Sequence, residues 1–224
     1  MGLENSIAAI YGFLGDLFET WTCPDAHIIW IRDFLKGIFP CARIFTFGYR
    51  VSELFLSTRI IKIEDVAKDV LVRLEKELRH TRPEVSVSML QATFNPSWFT
   101  DNFKRPIIFI CHSLGGIILK KAMISANNRR ELHNFILERP KAVAFMGTPH
   151  LGSKTATWVD RFTRLPLPVS ILNKDVVKRL KQDSRYLLEL NRRSVERMNE
   201  FRAIVSFYER QFHPVSRQIV CTTS

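Results

Sequence analysis

The sequence predicts an α/β fold built on a mostly parallel sheet with helices on both faces. Three observations carry this. Short β-branched or aromatic runs recur along the chain; they are nearly continuous in apolar residues, as in Ile107-Ile108-Phe109-Ile110 and Val143-Ala144-Phe145-Met146, which suits strands covered on both sides; and longer amphipathic stretches separate them. Strand, helix, strand is then the repeating unit, joined by right-handed crossovers.

In chain order, strands are expected at Ser6 to Ile10, Ala42 to Phe47, Pro106 to Cys111, Lys141 to Met146 and Ala203 to Phe207. The first helix begins at Asp25 and carries Ile28, Ile31, Leu35 and Ile38 before Pro40. The second spans about Ile60 to Arg79, where Ile63, Val66, Val70, Leu71, Leu74 and Leu78 recur at spacings of three and four and Lys62, Lys68, Arg73 and Lys76 face away. It stops at Thr81-Arg82-Pro83. A third helix follows Ser113 through Ile117, Ile118, Lys121 and Ala122. Between Val85 and Asn102 the period dissolves around Pro96, Trp98 and Phe99, which reads as loop. Thr163 to Pro168 is a second break, and a polar helical region runs from Ser170 to about Phe201.

The 224 residues suit one domain. With 46% hydrophobic and 25% charged residues, 9 Gly and 10 Pro, collagen-like and largely disordered chains are excluded. No apolar run reaches the roughly 18 residues of a membrane-spanning helix, and no basic segment precedes an apolar one at the N-terminus; an intracellular protein is expected. Cys23, Cys41, Cys111 and Cys221 form no CxxC pair and read as reduced thiols.

The net charge of +11 is concentrated after Lys154, in Arg161, Arg164, Lys178, Arg179, Lys181, Arg185, Arg192, Arg193 and Arg197. Alternation with Leu, Val and Met at helical spacing makes a solvated helix surface the first reading and an anionic membrane surface the second. No RNA-binding aromatic signature or zinc-finger spacing accompanies the charge, so no nucleic-acid partner is expected.

Chemistry is concentrated at Ile108-Phe109-Ile110-Cys111-His112-Ser113-Leu114-Gly115-Gly116. A serine between a strand and a helix, flanked by small residues, is what a strained strand-to-helix turn requires, and its hydroxyl would project from the C-terminal edge of the sheet. The helix beginning near Leu114 adds N–H donors and a positive dipole end that favour an oxyanion. Cys111 stands in place of the first Gly of G-x-S-x-G.

This block, followed by Phe145-Met146-Gly147-Thr148-Pro149-His150-Leu151-Gly152-Ser153, resembles the lipase-like serine-esterase branch of the α/β-hydrolase superfamily. It is similar in particular to the hydrolase domain at the N-terminus of many fungal nucleotide-binding signalling proteins and to the domain-of-unknown-function 676 esterases. Tyr11-Gly12-Phe13-Leu14-Gly15 through Thr20-Trp21 resembles that family's oxyanion loop, and Trp30 to Leu35 leading to Ala42 to Tyr49 agrees in order.

The resemblance implies an α/β-hydrolase fold over residues 1–224 as one domain, with 151–201 as a helical cap and the last strand missing from a truncated C-terminal end. It implies Ser113 as nucleophile, an oxyanion hole from the N–H of Leu114 and one from the Gly12-Phe13 loop, and Glu209 as the acid that orients a histidine. Two departures accompany it. Tyr11 replaces the family's usual His, and no Asp-His pair follows Glu209, which leaves His213 as the candidate base, with His112 and His150 read as structural.

The substrate implied is an ester or lipid-like acyl compound, processed in the cytoplasm or at a mitochondrial or endoplasmic-reticulum membrane. The alternative is a non-catalytic signalling or interaction module. No cofactor or metal is expected: Gly12-Phe13-Leu14-Gly15 has no Gly-Lys-Ser/Thr to make a phosphate loop, and Asp65, Asp69 and Glu75 read as a solvated helix face. Met1-Gly2 fits a myristoylation pattern only by chance. Oligomeric state is open.

Overall fold

The computed structural model describes residues 5–12, 19–23, 26–49, 62–79, 105–151, 178–180 and 184–207. A five-stranded sheet organises them: β1 (Ser6–Ile10), β4 (Arg43–Phe47), β5 (Ile107–His112), β6 (Pro140–Met146) and β7 (Ala203–Phe207) lie in the order β4-β1-β5-β6-β7. Every pairing is parallel. The five expected strands are all present, within a residue or so of their expected ends. Two two-residue strands, β2 (Thr22–Cys23) and β3 (Ile28–Ile29), form a separate antiparallel pair.

Five described helices surround the sheet: α1 (Trp30–Ile38), α2 (Ile63–Arg79), α3 (Leu114–Asn127), α4 (Arg130–Leu137) and α5 (Arg185–Met198). The helix expected from Asp25 begins only at Trp30. Ile28 belongs to β3, because the β2–β3 turn, in which His27 takes φ 52°, occupies the residues before it. The Asp33 carboxylate then accepts the N–H of Ile29 at 2.9 Å, closing the start of α1. α2 starts three residues later than expected, where Asp65 accepts the N–H of Lys62 at 3.0 Å.

α2 buries Ile63, Val66, Ala67, Val70, Leu71, Leu74 and Leu78, the stripe expected from spacing. It packs on α3, and α3 packs in turn on α5. All of α3 except Lys121, Ser125 and Asn127 is buried, as befits a helix enclosed between a sheet and neighbouring helices. α5 opens at Ser184, whose hydroxyl accepts the N–H of Leu187 at 3.2 Å.

Strand alternation assigns the faces. Cys111 and Phe145 are register partners and share a face with Phe109; there Phe109 meets Phe201 and the Lys120 ammonium of α3 lies 5.7 Å from the Phe145 ring centre. His112 points to the opposite face, where its ring meets Trp21 edge-on and Trp21 meets Trp30 of α1. Helices therefore cover both faces, as the apolar runs predicted.

The basic residues of the C-terminal third divide. Arg185, Arg192 and Arg193 are exposed, while Arg179 pairs with Glu64 at 3.3 Å and the buried Arg197 donates to the Leu137 carbonyl at 2.8 Å. Among the described residues, only part of the excess charge faces solvent. Among the described residues no helix is long and apolar enough to cross a membrane.

Candidate functional site

β1 and β5 are neighbours, and the chain leaves β1 toward β4 on one side before returning to β5 on the other. The crevice outside their carboxyl ends is the point where the winding direction reverses, the usual location of a ligand site in an open parallel sheet. Gly12 follows β1 there, and Ser113 follows β5.

Ser113 adopts φ 51° and ψ −122°, a conformation sparsely populated by side-chain-bearing residues and costing about 1–3 kcal/mol. Its N–H donates to the Met146 carbonyl at 2.8 Å, and its carbonyl accepts the Gly116 N–H at 3.2 Å. The turn is thus tied to the end of β6 and to the first turn of α3. Ser113 is 2% exposed.

Two glycines make the close packing feasible. A Cβ on Gly12 would fall 2.5 Å from the Ser113 Cβ and 2.7 Å from the His112 carbonyl oxygen, so the loop after β1 lies directly against the serine turn. A Cβ on Gly115 would fall 2.3 Å from the Ile10 carbonyl oxygen, which seats α3 on the end of β1. Cys111 is fully buried at this junction, and burial raises its thiol pKa far above the ordinary value; it packs as a small apolar residue.

Tyr11 stands where the resembling family has His, and the structure shows what it does instead. Its hydroxyl donates to the Tyr49 carbonyl at 2.8 Å and accepts the Tyr49 N–H at 3.0 Å, while the two rings stack with centres 5.3 Å apart. The entrance to the loop is thereby tied to the chain leaving β4.

After β6 the chain turns through Gly147 at φ 59°, whose N–H donates to the Phe207 carbonyl at 2.9 Å. Thr148 packs over Gly116, and the His150 ring stands edge-on to Phe145. His150 Nδ1 lies 2.8 Å from Nζ of Lys120, which also donates to the Asn191 side-chain oxygen at 2.6 Å. The Asn191 amide returns to the His150 carbonyl. Burial, then the Lys120 charge, lowers the His150 pKa to about 4, and burial lowers that of Lys120 to about 8.

This lysine decides the histidine's tautomer. An ammonium has no acceptor, so Lys120 donates to Nδ1 and the imidazole proton sits on Nε2. With neither ring nitrogen holding a free lone pair and a pKa near 4, His150 is unsuited to general-base work. From the sequence His150 is expected to be structural, and the structure shows its ring held by Lys120 and Phe145. Lys120 and Asn191 were not singled out there, although a lysine inside the apolar run Ile117-Ile118-Leu119-Lys120 carried the signal.

The structure thus brings Gly12, Ser113 and Leu114 together. Phe13, Glu209 and His213 lie outside the described residues, as do most of the expected cap, the 85–102 loop, the 163–168 break and Gly2. The acidic residues of α2 have structural partners: Asp69 pairs with Arg73 at 2.9 Å, and Glu75 lies 2.9 Å from His133 of α4.

No family model matches the chain. Over 201 residues, 81% of its length, it is 34% identical to Protein SERAC1 of Mus musculus and 24% identical to that of Homo sapiens. It spans 28% of each of those proteins, less than a third of their length. Among solved structures it is similar to phospholipase PlaB from Legionella pneumophila, with TM-score 0.52 and 14% identity over 91% of this chain and 38% of that one. It is similar also to Bacillus licheniformis lipase BlEst2 in its mature form, with TM-score 0.50 and 16% identity over 91% of this chain and 65% of that one. Sheet order, the serine turn at the winding reversal and these likenesses agree, and the chain has the α/β-hydrolase fold.

Proposed function

We propose that this chain is a serine hydrolase of ester or lipid-like acyl substrates, with Ser113 as its nucleophile. The observation that carries the reading is the positive φ of Ser113 at a strand-to-helix turn, with Gly12 seated against it. A strained non-glycine backbone at the carboxyl edge of a parallel sheet is costly, and it serves to hold a hydroxyl in place at the start of a helix. The names of the likened structures, a phospholipase and a lipase, support an acyl substrate.

In this mechanism the Ser113 oxygen adds to the acyl carbon and its proton passes to a histidine base. The carbonyl oxygen, now negative, accepts from the N–H of Leu114 and from the Gly12-Phe13 loop. Collapse expels the alcohol, which takes the proton from the histidine; water then cleaves the acyl-enzyme by the same route. His213 is the proposed base and Glu209 its orienting acid, since the ring of His150, engaged by Lys120, is unsuited to the task. Residues 1–224 form one hydrolase domain in this reading; within the expected cap 151–201, α5 packs on α3 as part of the helical layer, and its exposed arginines favour work at an anionic membrane surface inside the cell.

Fluorophosphonate labelling of the purified chain beside Ser113→Ala tests the proposal. Labelling of the native chain that disappears in Ser113→Ala is the expected result. A folded native chain that takes no label overturns it in favour of a non-catalytic hydrolase-like module.

A further inference from the structure

At the amino-terminal edge of the sheet, the opposite end from Ser113, a cavity of about 670 Å³ opens beneath the starts of β1, β5, β6 and β7. Its lining joins the apolar Ile108 and Ala142 with three basic residues, Arg139, Lys141 and Arg202, and one acidic residue, Glu138. Glu138 is exposed and accepts from the Asn134 amide at 2.6 Å.

Arg139 is the unusual member. It is 4% exposed, and neither Nη1 nor Nη2 has a hydrogen-bond partner among the described residues. Its guanidinium lies 3.5 Å from the centre of the Phe135 ring, and Arg79 approaches the same ring at 4.3 Å. The main chain is fixed, because the Arg139 carbonyl accepts the Ile107 N–H at 2.8 Å. Burial, aided by the like charges of Arg43 and Arg79, lowers the Arg139 pKa to about 10.

A buried guanidinium without an acceptor is strongly unfavourable, and an anion is its usual remedy. Lying against an aromatic ring, a guanidinium still offers the N–H pairs in its own plane, and this fork fits two oxygens of a phosphate or carboxylate. The excess of basic over acidic residues in the lining favours a dianion over a monoanion. The volume lies in the range of small-molecule sites and exceeds what a bare anion fills.

We propose that this cavity binds a phosphomonoester, its phosphate oxygens held by the Arg139 guanidinium with Lys141 and Arg202 at the rim and its organic part on Ile108 and Ala142. The six residues of β5 separate it from the serine turn by roughly 20 Å, so the ligand has no contact with Ser113. The site stands independently of the hydrolase reading. A soluble phosphomonoester and the headgroup of phosphatidic acid share the chemistry, and two arms of one experiment distinguish them.

The full chain is titrated calorimetrically with glycerol 3-phosphate at constant ionic strength, and is co-sedimented with phosphatidylcholine vesicles with and without phosphatidic acid. Saturable one-to-one binding that weakens at least tenfold in Arg139→Met, which keeps the length of the side chain and loses the fork, supports a soluble ligand. Recruitment by phosphatidic acid that Arg139→Met abolishes supports the lipid headgroup. The rim double variant Lys141→Gln with Arg202→Gln, distant from the core, weakens whichever binding occurs and serves if Arg139→Met melts early. Absence of saturable binding in both arms, or binding unchanged by both variants, overturns the proposal.

Discussion

Position 113 carries a strain that glycine would not feel. Ser113→Gly is therefore expected to raise stability by about 1 kcal/mol while abolishing fluorophosphonate labelling; thermal melts and probe labelling of one preparation check both halves. Gly12→Ala acts in the opposite sense, since its methyl group meets the Ser113 Cβ and the His112 carbonyl. It is expected to lower labelling at least tenfold by displacing the serine turn. Tyr11→Phe removes both hydrogen bonds to the Tyr49 backbone and leaves a buried N–H and carbonyl unpaired, a loss of about 1–3 kcal/mol in urea denaturation. At this scale the serine and Gly12 were legible, because each belongs to a local motif with a stated backbone requirement. The tie from Tyr11 to Tyr49 was not, since it joins positions 38 residues apart.

Among the elements, α3 is the most tightly constrained. Gly115→Ala puts a methyl group against the Ile10 and Tyr11 carbonyl oxygens, and backbone cannot step aside as a flexible side chain can. A loss of about 2–4 kcal/mol is expected in the same denaturation assay, with the helix content of any folded fraction preserved. The strands were legible because continuous apolar runs bounded by polar residues leave little alternative. The β2–β3 pair was not, since two-residue strands are too short to show alternation, and Ile28 falls at a spacing of three from Ile31, which mimics a helix. α4 escaped notice because its eight residues bury only Ile136 and Leu137. The cationic cavity was invisible for a different reason: positions 139, 141 and 202 meet only once β6 and β7 pair.

For the molecule as a whole, the buried Lys120–His150 pair makes stability depend on pH. His150 has a folded pKa of about 4 against 6.5 when unfolded, so the unfolded chain binds the extra proton; its contribution is complete above about pH 6.5 and is lost as pH falls toward 4. Lys120 has a folded pKa of about 8 against 10.5, so stability rises again as pH increases from 8 to 10.5. The slope from either group approaches about 1.4 kcal/mol per pH unit. Urea titrations at stepped pH measure it, and NMR of the His150 ring in Lys120→Met, where the nearby charge is gone, should show its titration moving up toward 6.5.

The burial of α3 on nearly every side has one more consequence. An enclosed helix cannot open locally, so the amide protons beyond its first turn are expected to exchange with solvent only when the whole domain comes apart. The serine turn immediately precedes that helix and is fastened by Ser113 and Gly116 to β6 and to the helix itself. Its geometry is therefore governed by global rather than local fluctuations, and a partly denatured sample should contain intact molecules and unfolded ones, with no population that keeps the fold while losing the turn.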